Sequence, residues 1–269
     1  MFKTRLISGV ILVAIALVTM ISGGWLLYGT LLVISLVGVH ELYRAVKVEE
    51  KGFNLLGTVG YLGVAVYYFL LNMGTDAYSM MSVLLLLVAL MSVYVFTYPR
   101  YRAEQVMGAF FGVIYVAVML SYIYQTRNLE NGAFLVWLIF LCSWGCDTCA
   151  YCVGVLIGKH KMSPKLSPKK SVEGAIGGVA GAAILGAVYG AATAPYMQGQ
   201  GRALEFALIC TVGALISMVG DLAASAIKRN HEIKDYGKLI PGHGGILDRF
   251  DSVIFVAPVI YYLAVFLIG

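Results

Sequence analysis

The chain has 269 residues, of which 60% are hydrophobic and only 12% are charged, and its mean hydropathy is +0.86. These values exclude an ordinary water-soluble domain, which would carry about twice this charged fraction. The net charge of +5 does not indicate nucleic-acid binding, because the basic residues lie in short segments between apolar runs. We therefore expect an integral membrane protein.

Apolar stretches long enough to cross about 30 Å of hydrocarbon recur along the whole chain. They lie at 6–22, 24–40, 53–71, 77–98, 106–124, 132–158, 173–195, 203–227 and 252–268. The sequence thus predicts an all-α, polytopic transmembrane helix bundle of about nine spans. It divides into an N-terminal region of five spans, 1–125, and a C-terminal region of four spans, 126–269, with two long basic loops.

The distribution of basic residues predicts the orientation of this bundle. The N-terminus and the loops after the second, fourth, sixth and eighth spans hold 17 of the 19 Lys and Arg residues. Only Arg127 and Arg202 fall on the opposite side. Because cytoplasmic loops are enriched in Lys and Arg, we expect the N-terminus in the cytoplasm and the C-terminus outside.

The seventh span is distinguished by glycine. It contains six glycines: Gly174, Gly177, Gly178, Gly181, Gly186 and Gly190. Small residues at four-residue spacing let helix backbones approach closely in lipid, so we expect this span to pack tightly and to lie centrally in the bundle.

The eighth span carries a polar stripe that runs toward the cytoplasm. Its members fall on one helical face: Asp221, Ser225, Lys228 and Arg229. Asp221 lies about 10 Å inward of Lys228 along the helix axis. An ionised carboxylate at that depth needs a cation or a water-filled cavity, so a functional role is favoured over a structural hydrogen bond.

The loop after this span combines flexible backbone with charge. Pro241 and the glycines at 242, 244 and 245 suit a tight turn whose N–H groups could contact phosphate oxygens. Asp248, Arg249 and Asp251 follow at once. Carboxylates are typical ligands of Mg²⁺, and a guanidinium between them can bind phosphate. The alternative, a solvated charged turn, would explain neither the glycines nor the intramembrane acid.

The sixth span contains a second intramembrane acid, Asp147, about 18 Å from Lys159 by helical rise. The loop beyond it is rich in lysine and is stiffened by two prolines, and Ser171 is placed to cap the seventh helix. This loop suits either an anion site or a positive-inside anchor.

Two other patterns do not support metal chemistry. Four cysteines lie within the sixth span without a second ligand cluster, so we interpret them as small packing residues. His40 and Glu41 begin a zinc-protease pattern, but Arg44 stands where the second histidine must be.

The segment SAIKRNHEIKDYGKLIPGHGGILDRFD, residues 225–251, resembles the signature of the phosphatidate cytidylyltransferases, the CDP-diacylglycerol synthases. The shared features are the Ser-x-x-Lys-Arg opening, the Lys-Asp pair, the Pro-Gly-His-Gly-Gly turn and the Asp-Arg-x-Asp ending. Residues 147–174 resemble the second conserved block of that family, with Cys149 where glycine is more frequent. The N-terminal five spans resemble the family only in their general membrane character.

The resemblance implies transfer of CMP from CTP to phosphatidate, with Mg²⁺ required and a second metal ion left open. It implies that Asp221 and Asp248 hold the metal and that Asp147 or Asp251 completes the shell. The implied catalytic residues are Asp221, Asp248, Lys228, Arg229 and Asp251. The implied substrate contacts are Lys169, Lys170, Ser171, Ser225, Lys234, His243, Gly244, Gly245 and Arg249.

The same resemblance implies the partners and the location. The expected partners are CTP, phosphatidate and membrane lipid, with no nucleic acid, and the apolar, Gly-rich surface allows a homodimer. We expect the bacterial inner membrane, with the catalytic region, 126–269, opening to the cytoplasm and to the inner leaflet.

Two alternatives stay open. Intramembrane acids and Gly-rich helices also occur in secondary transporters, although the two halves of this chain show no convincing self-similarity. The other alternative is a different CTP-dependent membrane lipid enzyme, such as a relative of the polyprenol kinases.

Overall fold

The computed structural model describes residues 2–49, 52–74, 76–197 and 202–268, without the side chains of 2–6, 76 and 77. The regular structure of this described part is nine long helices, one short 3₁₀ helix (Ala194–Tyr196) and one two-stranded hairpin. The helices are α1 (Phe2–Ser22), α2 (Gly24–Ala45), α3 (Leu55–Leu71), α4 (Asp76–Phe96), α5 (Ala103–Arg127), α6 (Gly132–Ile157), α7 (Val172–Thr193), α8 (Ala203–Asn230) and α9 (Leu247–Leu267). The strands are β1 (Lys161–Ser163) and β2 (Ser167–Ser171).

The predicted all-α, polytopic membrane architecture is confirmed. Seven of the described helices are long and apolar enough to cross a membrane. The other two, α3 and the Ile7–Ser22 part of α1, are apolar but shorter. The number of spans and the orientation of the termini stay predictions. Of the basic residues that support this orientation, Lys51 and the side chains of Lys3 and Arg5 lie outside the described residues.

The loop between the sixth and seventh spans contains the regular structure that the sequence did not predict. Strands β1 and β2 pair antiparallel, with Lys161 opposite Ser171 and Ser163 opposite Ser167. Ser171 then caps α7, as predicted, because its hydroxyl accepts a hydrogen bond from the Gly174 N–H at 3.1 Å. The hairpin is thus attached directly to the first turn of the following helix.

The chain forms two compact units. Unit 1 comprises residues 1–121 and 230–249, and unit 2 comprises residues 122–229 and 250–269. The glycine-rich loop after α8 and the first turn of α9 therefore belong with the N-terminal helices.

Unit 1 is organised around Tyr43 of α2, whose side chain is fully buried. Its hydroxyl donates to the Ala109 carbonyl oxygen at 2.7 Å, which satisfies the one polar group of the ring. Glycines at 60 and 112 leave the space that the ring occupies, since a Cβ at either position would collide with it. The contact joins α2, α3 and α5 around one side chain.

Unit 2 confirms the predicted close approach of the glycine-rich helix. A Cβ at Gly178 would lie 3.0 Å from the Cys146 carbonyl oxygen on α6, and one at Gly186 would lie 2.6 Å from the Phe206 carbonyl oxygen on α8. Glycine at these positions lets α7 contact the backbone of both neighbours. Gly181 similarly leaves room for Cys149, the residue that departs from the family pattern.

The expected central position of α7 is wrong. Its glycines lie on one face, whereas Ile176, Ile184 and Val188 on the other face are 61–66% exposed. The helix therefore packs on one side only. A run of small residues predicts close approach on the face where it lies, but it does not predict burial of the opposite face.

Candidate active site

Three aspartates on three helices of unit 2 interact electrostatically, and we call them the aspartate cluster. Asp147 lies on α6, Asp221 on α8 and Asp251 on α9. The charges of Asp221 and Asp147 act on the Asp251 carboxyl group, and the opposite charge of Lys228 partly offsets them. Three of the four predicted metal ligands thus lie in one unit.

Small residues let these helices approach closely. A Cβ at Gly220, one residue before Asp221, would lie 3.0 Å from the Asp251 carbonyl oxygen, so α8 and α9 meet there backbone to backbone. Deeper in the helix, a Cβ at Gly213 would lie 2.6 Å from the Cys142 sulfur of α6. The acidic residues are therefore held by helix packing rather than by a mobile loop.

A short π-helical stretch, Leu141–Gly145, precedes Asp147 in α6. An extra residue in one helical turn rotates the face on which the following side chains lie, and such stretches are frequent at functional sites. The expected packing role holds for two of the four cysteines of this helix: Cys142 and Cys146 are buried, whereas Cys149 is half-buried and Cys152 is exposed.

Lys170 supplies the cation that the intramembrane acid requires. It lies on β2 and forms an ion pair with Asp221, and about a quarter of each side chain is exposed. Burial alone would lower the pKa of Lys170, but the carboxylates of Asp221, Asp147 and Asp251 outweigh burial and raise this pKa above its ordinary value. Lys170 is therefore charged at physiological pH.

The strand geometry separates two neighbouring lysines. Successive residues of a strand point to opposite faces. Lys170 is half-buried against α8, whereas Lys169 is exposed. Both were predicted to contact substrate, and the structure places only Lys170 beside the aspartate cluster.

The base of the hairpin is fixed by Glu173, in the first turn of α7. Its carboxylate accepts hydrogen bonds from the backbone N–H groups of Lys159 and His160 and is paired with the His160 ring. Val172 N–H also donates to the His160 carbonyl oxygen at 2.9 Å. The strand that carries Lys170 is thus fixed to the start of α7.

The polar stripe predicted on α8 runs to the C-terminal end of this helix. Ser225 and Lys228 are half-buried in the last two turns of this helix, and Arg229 is exposed. Of these residues, Lys228 interacts electrostatically with the aspartate cluster.

The predicted tight turn is present in unit 1. Gly242 and Gly244 have φ angles of 80° and 87°, in the left-handed region that glycine favours. The Ile240 N–H donates to the Gly244 carbonyl oxygen, and the His243 N–H donates to the Ile240 carbonyl oxygen, both at 2.9 Å. The glycines are therefore required by the backbone geometry of the turn.

An N-terminal helix contacts this turn. The Ser8 hydroxyl of α1 lies 3.1 Å from the Pro241 carbonyl oxygen and 2.8 Å from Nδ1 of His243. The sequence had assigned no role to the first span, because one serine in an apolar helix carries no recognisable pattern.

Asp248, in the first turn of α9, binds two backbone N–H groups of the loop that precedes this helix. It is buried, and its Oδ2 accepts hydrogen bonds from the backbone N–H groups of Tyr236 at 2.8 Å and Gly245 at 3.0 Å. Asp248, the fourth predicted metal ligand, therefore uses one carboxylate oxygen to fix the loop in this structure. The Gly245 N–H, expected to contact phosphate, is already engaged.

The remaining predicted substrate contacts also lie in unit 1. Lys234 is exposed on the loop. Arg249 is half-buried in the first turn of α9, and its buried Nε has no hydrogen-bond partner among the residues that the structure describes.

Glu41 is a residue in this region to which the sequence interpretation gave no role. Its carboxylate, on α2, accepts hydrogen bonds from the N–H groups of Ile246 and Leu247, where α9 begins. Its sequence neighbours suggested only a failed zinc motif, and the contact spans more than 200 residues.

The residues of the aspartate cluster fit a Mg²⁺ ion whose shell is completed by waters and substrate phosphates. Within the described ranges, no three His, Cys, Asp or Glu side chains are arranged to hold a metal ion by themselves. Mg²⁺ is usually held by one or two carboxylates, with waters and substrate phosphates completing its shell. The aspartate cluster can provide such carboxylates, and Lys170 and Lys228 beside it can balance the charge of phosphates.

Comparison with known proteins agrees with the motif. The model of the cytidylyltransferase family matches residues 3–267. Phosphatidate cytidylyltransferases from Bacillus subtilis, Staphylococcus saprophyticus and Synechocystis sp. are 33%, 30% and 31% identical to this chain. The alignments cover 97–98% of this chain and 97–99% of the relatives. The match extends through the N-terminal helices that carry Ser8 and Glu41, and the chain belongs to the cytidylyltransferase family.

Proposed function

We propose that this protein is an integral membrane enzyme that transfers the cytidylyl group of CTP to phosphatidate, giving CDP-diacylglycerol and diphosphate. The observation that carries the proposal is the aspartate cluster with Lys170 and Lys228, within a chain that matches phosphatidate cytidylyltransferases over nearly its full length. The relatives supply the substrate class, and the cluster supplies the groups that the reaction needs.

The reaction forms one phosphorus–oxygen bond and breaks another. A phosphate oxygen of phosphatidate attacks the α-phosphorus of CTP, and the bond between that phosphorus and the bridging oxygen breaks. The electron pair leaves with diphosphate. Phosphatidate is already ionised near neutral pH, so the chain need not supply a general base. The main difficulty is to bring two polyanions together, which positioned cations can overcome.

In this proposal Lys170 and Lys228 bind phosphate oxygens, and Asp221 orients Lys170. Asp221 and Asp251, with Asp147 beside them, would hold Mg²⁺. When bound, the ion neutralises charge on the triphosphate and on the departing diphosphate. In unit 1, Arg249 offers a guanidinium for a phosphate, and Asp248 fixes the loop that precedes it.

The position of the charged groups also suits the two substrates. The acyl chains of phosphatidate stay in lipid, whereas CTP arrives from water. Asp221 and Asp147 lie within apolar helices, and Lys170 reaches Asp221 from a polar hairpin beyond the end of α6. We place this reaction at the inner leaflet of a bacterial inner membrane, on the cytoplasmic side.

Product analysis with purified protein tests the proposal. The protein is reconstituted with phosphatidate, CTP and Mg²⁺, and lipid extracts are examined for a cytidine-containing lipid. We expect this lipid and diphosphate in equal amounts, and neither when diacylglycerol replaces phosphatidate or when EDTA removes the metal. If CTP is consumed equally with diacylglycerol, the assigned acceptor is wrong.

A further inference from the structure

Glu41 makes a contact that the proposed reaction scheme does not use. Glu41 lies near the end of α2 and is only 6% exposed, and its carboxylate contacts the start of α9. Oε1 accepts a hydrogen bond from the Ile246 N–H at 3.1 Å, and Oε2 accepts one from the Leu247 N–H at 2.8 Å. The first N–H groups of a helix have no intrahelical partner, so Glu41 satisfies two of them from another helix.

Two glycines leave the space for this carboxylate. A Cβ at Gly237 or at Gly245 would collide with the Glu41 carboxylate. Neither glycine has a positive φ angle, so the backbone conformation itself would accept a side chain at both positions. The Lys-Asp-Tyr-Gly and His-Gly-Gly parts of the motif are therefore shaped around a residue that lies outside the motif.

Glu41 and Asp248 together hold four backbone N–H groups. Asp248 takes those of Tyr236 and Gly245, and Glu41 takes the next two along the chain. The two carboxylates also act on each other as like charges. Two buried carboxylates of like charge repel each other and so destabilise the fold. The positive end of the α9 dipole offsets part of this repulsion.

We propose that Glu41 is a positioning residue for cytidylyl transfer: it fixes the first turn of α9 and so orients Asp248 and Arg249. The Ile246 and Leu247 N–H groups then serve the fold and do not bind phosphate. The inference rests on the proposed function, because its main readout is the rate of that reaction.

Glu49 provides a matched control. It is a second buried glutamate of unit 1, with its residue 3% exposed. Its Oε2 lies 3.1 Å from Nδ1 of His40 and accepts a hydrogen bond from the Tyr61 hydroxyl at 2.9 Å. Replacing Glu49 therefore removes a buried carboxylate and its hydrogen bonds without removing the contact to α9.

The experiment compares Glu41→Gln, Glu41→Ala and Glu49→Gln in the reconstituted enzyme. Glu41→Gln keeps one acceptor oxygen, so we expect kcat to fall about 10- to 100-fold, and Glu41→Ala should lower it further. The KM for CTP should change less than kcat. Glu49→Gln should lower the melting temperature but leave kcat per folded molecule within about twofold of wild type.

Hydrogen exchange gives a readout that is independent of activity. In Glu41→Ala, the amides of residues 246 and 247 should both lose protection, and in Glu41→Gln, which keeps one acceptor oxygen, at least one of them should; in Glu49→Gln both should keep it. Gly237→Ala displaces the carboxylate without removing it, so this variant should repeat the loss of kcat even if the Glu41 variants do not fold.

The outcomes separate the two claims. If the wild type does not use CTP and phosphatidate, the proposed function is wrong, and protection at 246 and 247 still decides whether Glu41 fixes α9. If the wild type is active and folded Glu41→Gln keeps its kcat, the positioning role is wrong. It is also wrong if Glu49→Gln lowers kcat equally.

Discussion

Lys170 of strand β2 and Asp221 of helix α8 form an ion pair, with 27% and 25% of their side chains exposed. This pair joins the hairpin to the aspartate cluster, and it places a charged lysine beside a carboxylate whose ionised form the surrounding apolar helix would otherwise disfavour. The hairpin is therefore part of the site rather than a connection between two spans.

Adjacent lysines should differ in their contribution to stability. Lys170→Gln removes a cation from a partly buried carboxylate, so we expect the free energy of unfolding to fall by about 1–3 kcal/mol. Lys169 is exposed, so Lys169→Gln should change this free energy by less than about 0.5 kcal/mol. Thermal unfolding in detergent measures both. Equal shifts would show that the pair does not stabilise the fold.

Asp221, the acid that pairs with Lys170, should be required for catalysis but not for folding. We expect Asp221→Asn to lower kcat at least about 100-fold, because the amide loses the charge that orients Lys170 and would hold Mg²⁺. The helical circular dichroism should not change. Glu205→Gln, at the other end of α8, is the control and should keep full activity. Retained activity in Asp221→Asn would exclude the assigned role.

The close contact between α7 and α8 should make one glycine position intolerant of a methyl group. Gly186→Ala places a Cβ 2.6 Å from the Phe206 carbonyl oxygen, and we expect a loss of about 1–3 kcal/mol in stability. Among the described residues, no atom outside the adjacent backbone of α2 itself lies within 4 Å of the Cβ position of Gly29. Gly29→Ala should therefore be neutral, or stabilising by up to about 1 kcal/mol. A comparable loss in both variants would contradict the packing argument.

The predicted orientation can be tested with single cysteines in a Cys152→Ser background, since Cys152 is the exposed native thiol among the described residues. Lys165→Cys lies in the turn of the hairpin, and Asn128→Cys lies between α5 and α6. A membrane-impermeant maleimide should label Asn128→Cys in intact cells, and it should label Lys165→Cys only after lysis. Labelling of both from the same side would contradict the orientation.

The helices were predictable because each carries its own signal. The eighth span was predicted over 203–227, and α8 comprises Ala203–Asn230, since an apolar run of that length has no other stable form in lipid. The partner of Asp221 was only partly predictable. A cation was required on energetic grounds, but nothing in the sequence distinguishes Lys170 from Lys169 until the strand assigns them to opposite faces.

The hairpin and the Glu41 contact were not predictable for different reasons. Strands of three and five residues with a proline are too short to show an alternating pattern. Glu41 has a local sequence that indicates nothing, and its partners are backbone N–H groups, which every residue type except proline carries. A contact of that kind leaves no trace in the composition of either segment.

The fate of the phosphates of CTP tests the central claim most directly. Reconstituted protein is supplied with phosphatidate and with CTP labelled either at the α-phosphate or at the γ-phosphate. We predict that the α-label enters the lipid fraction and that the γ-label appears in aqueous diphosphate, both abolished by Asp221→Asn. Transfer of the γ-label to lipid would identify a CTP-dependent kinase and would contradict cytidylyl transfer.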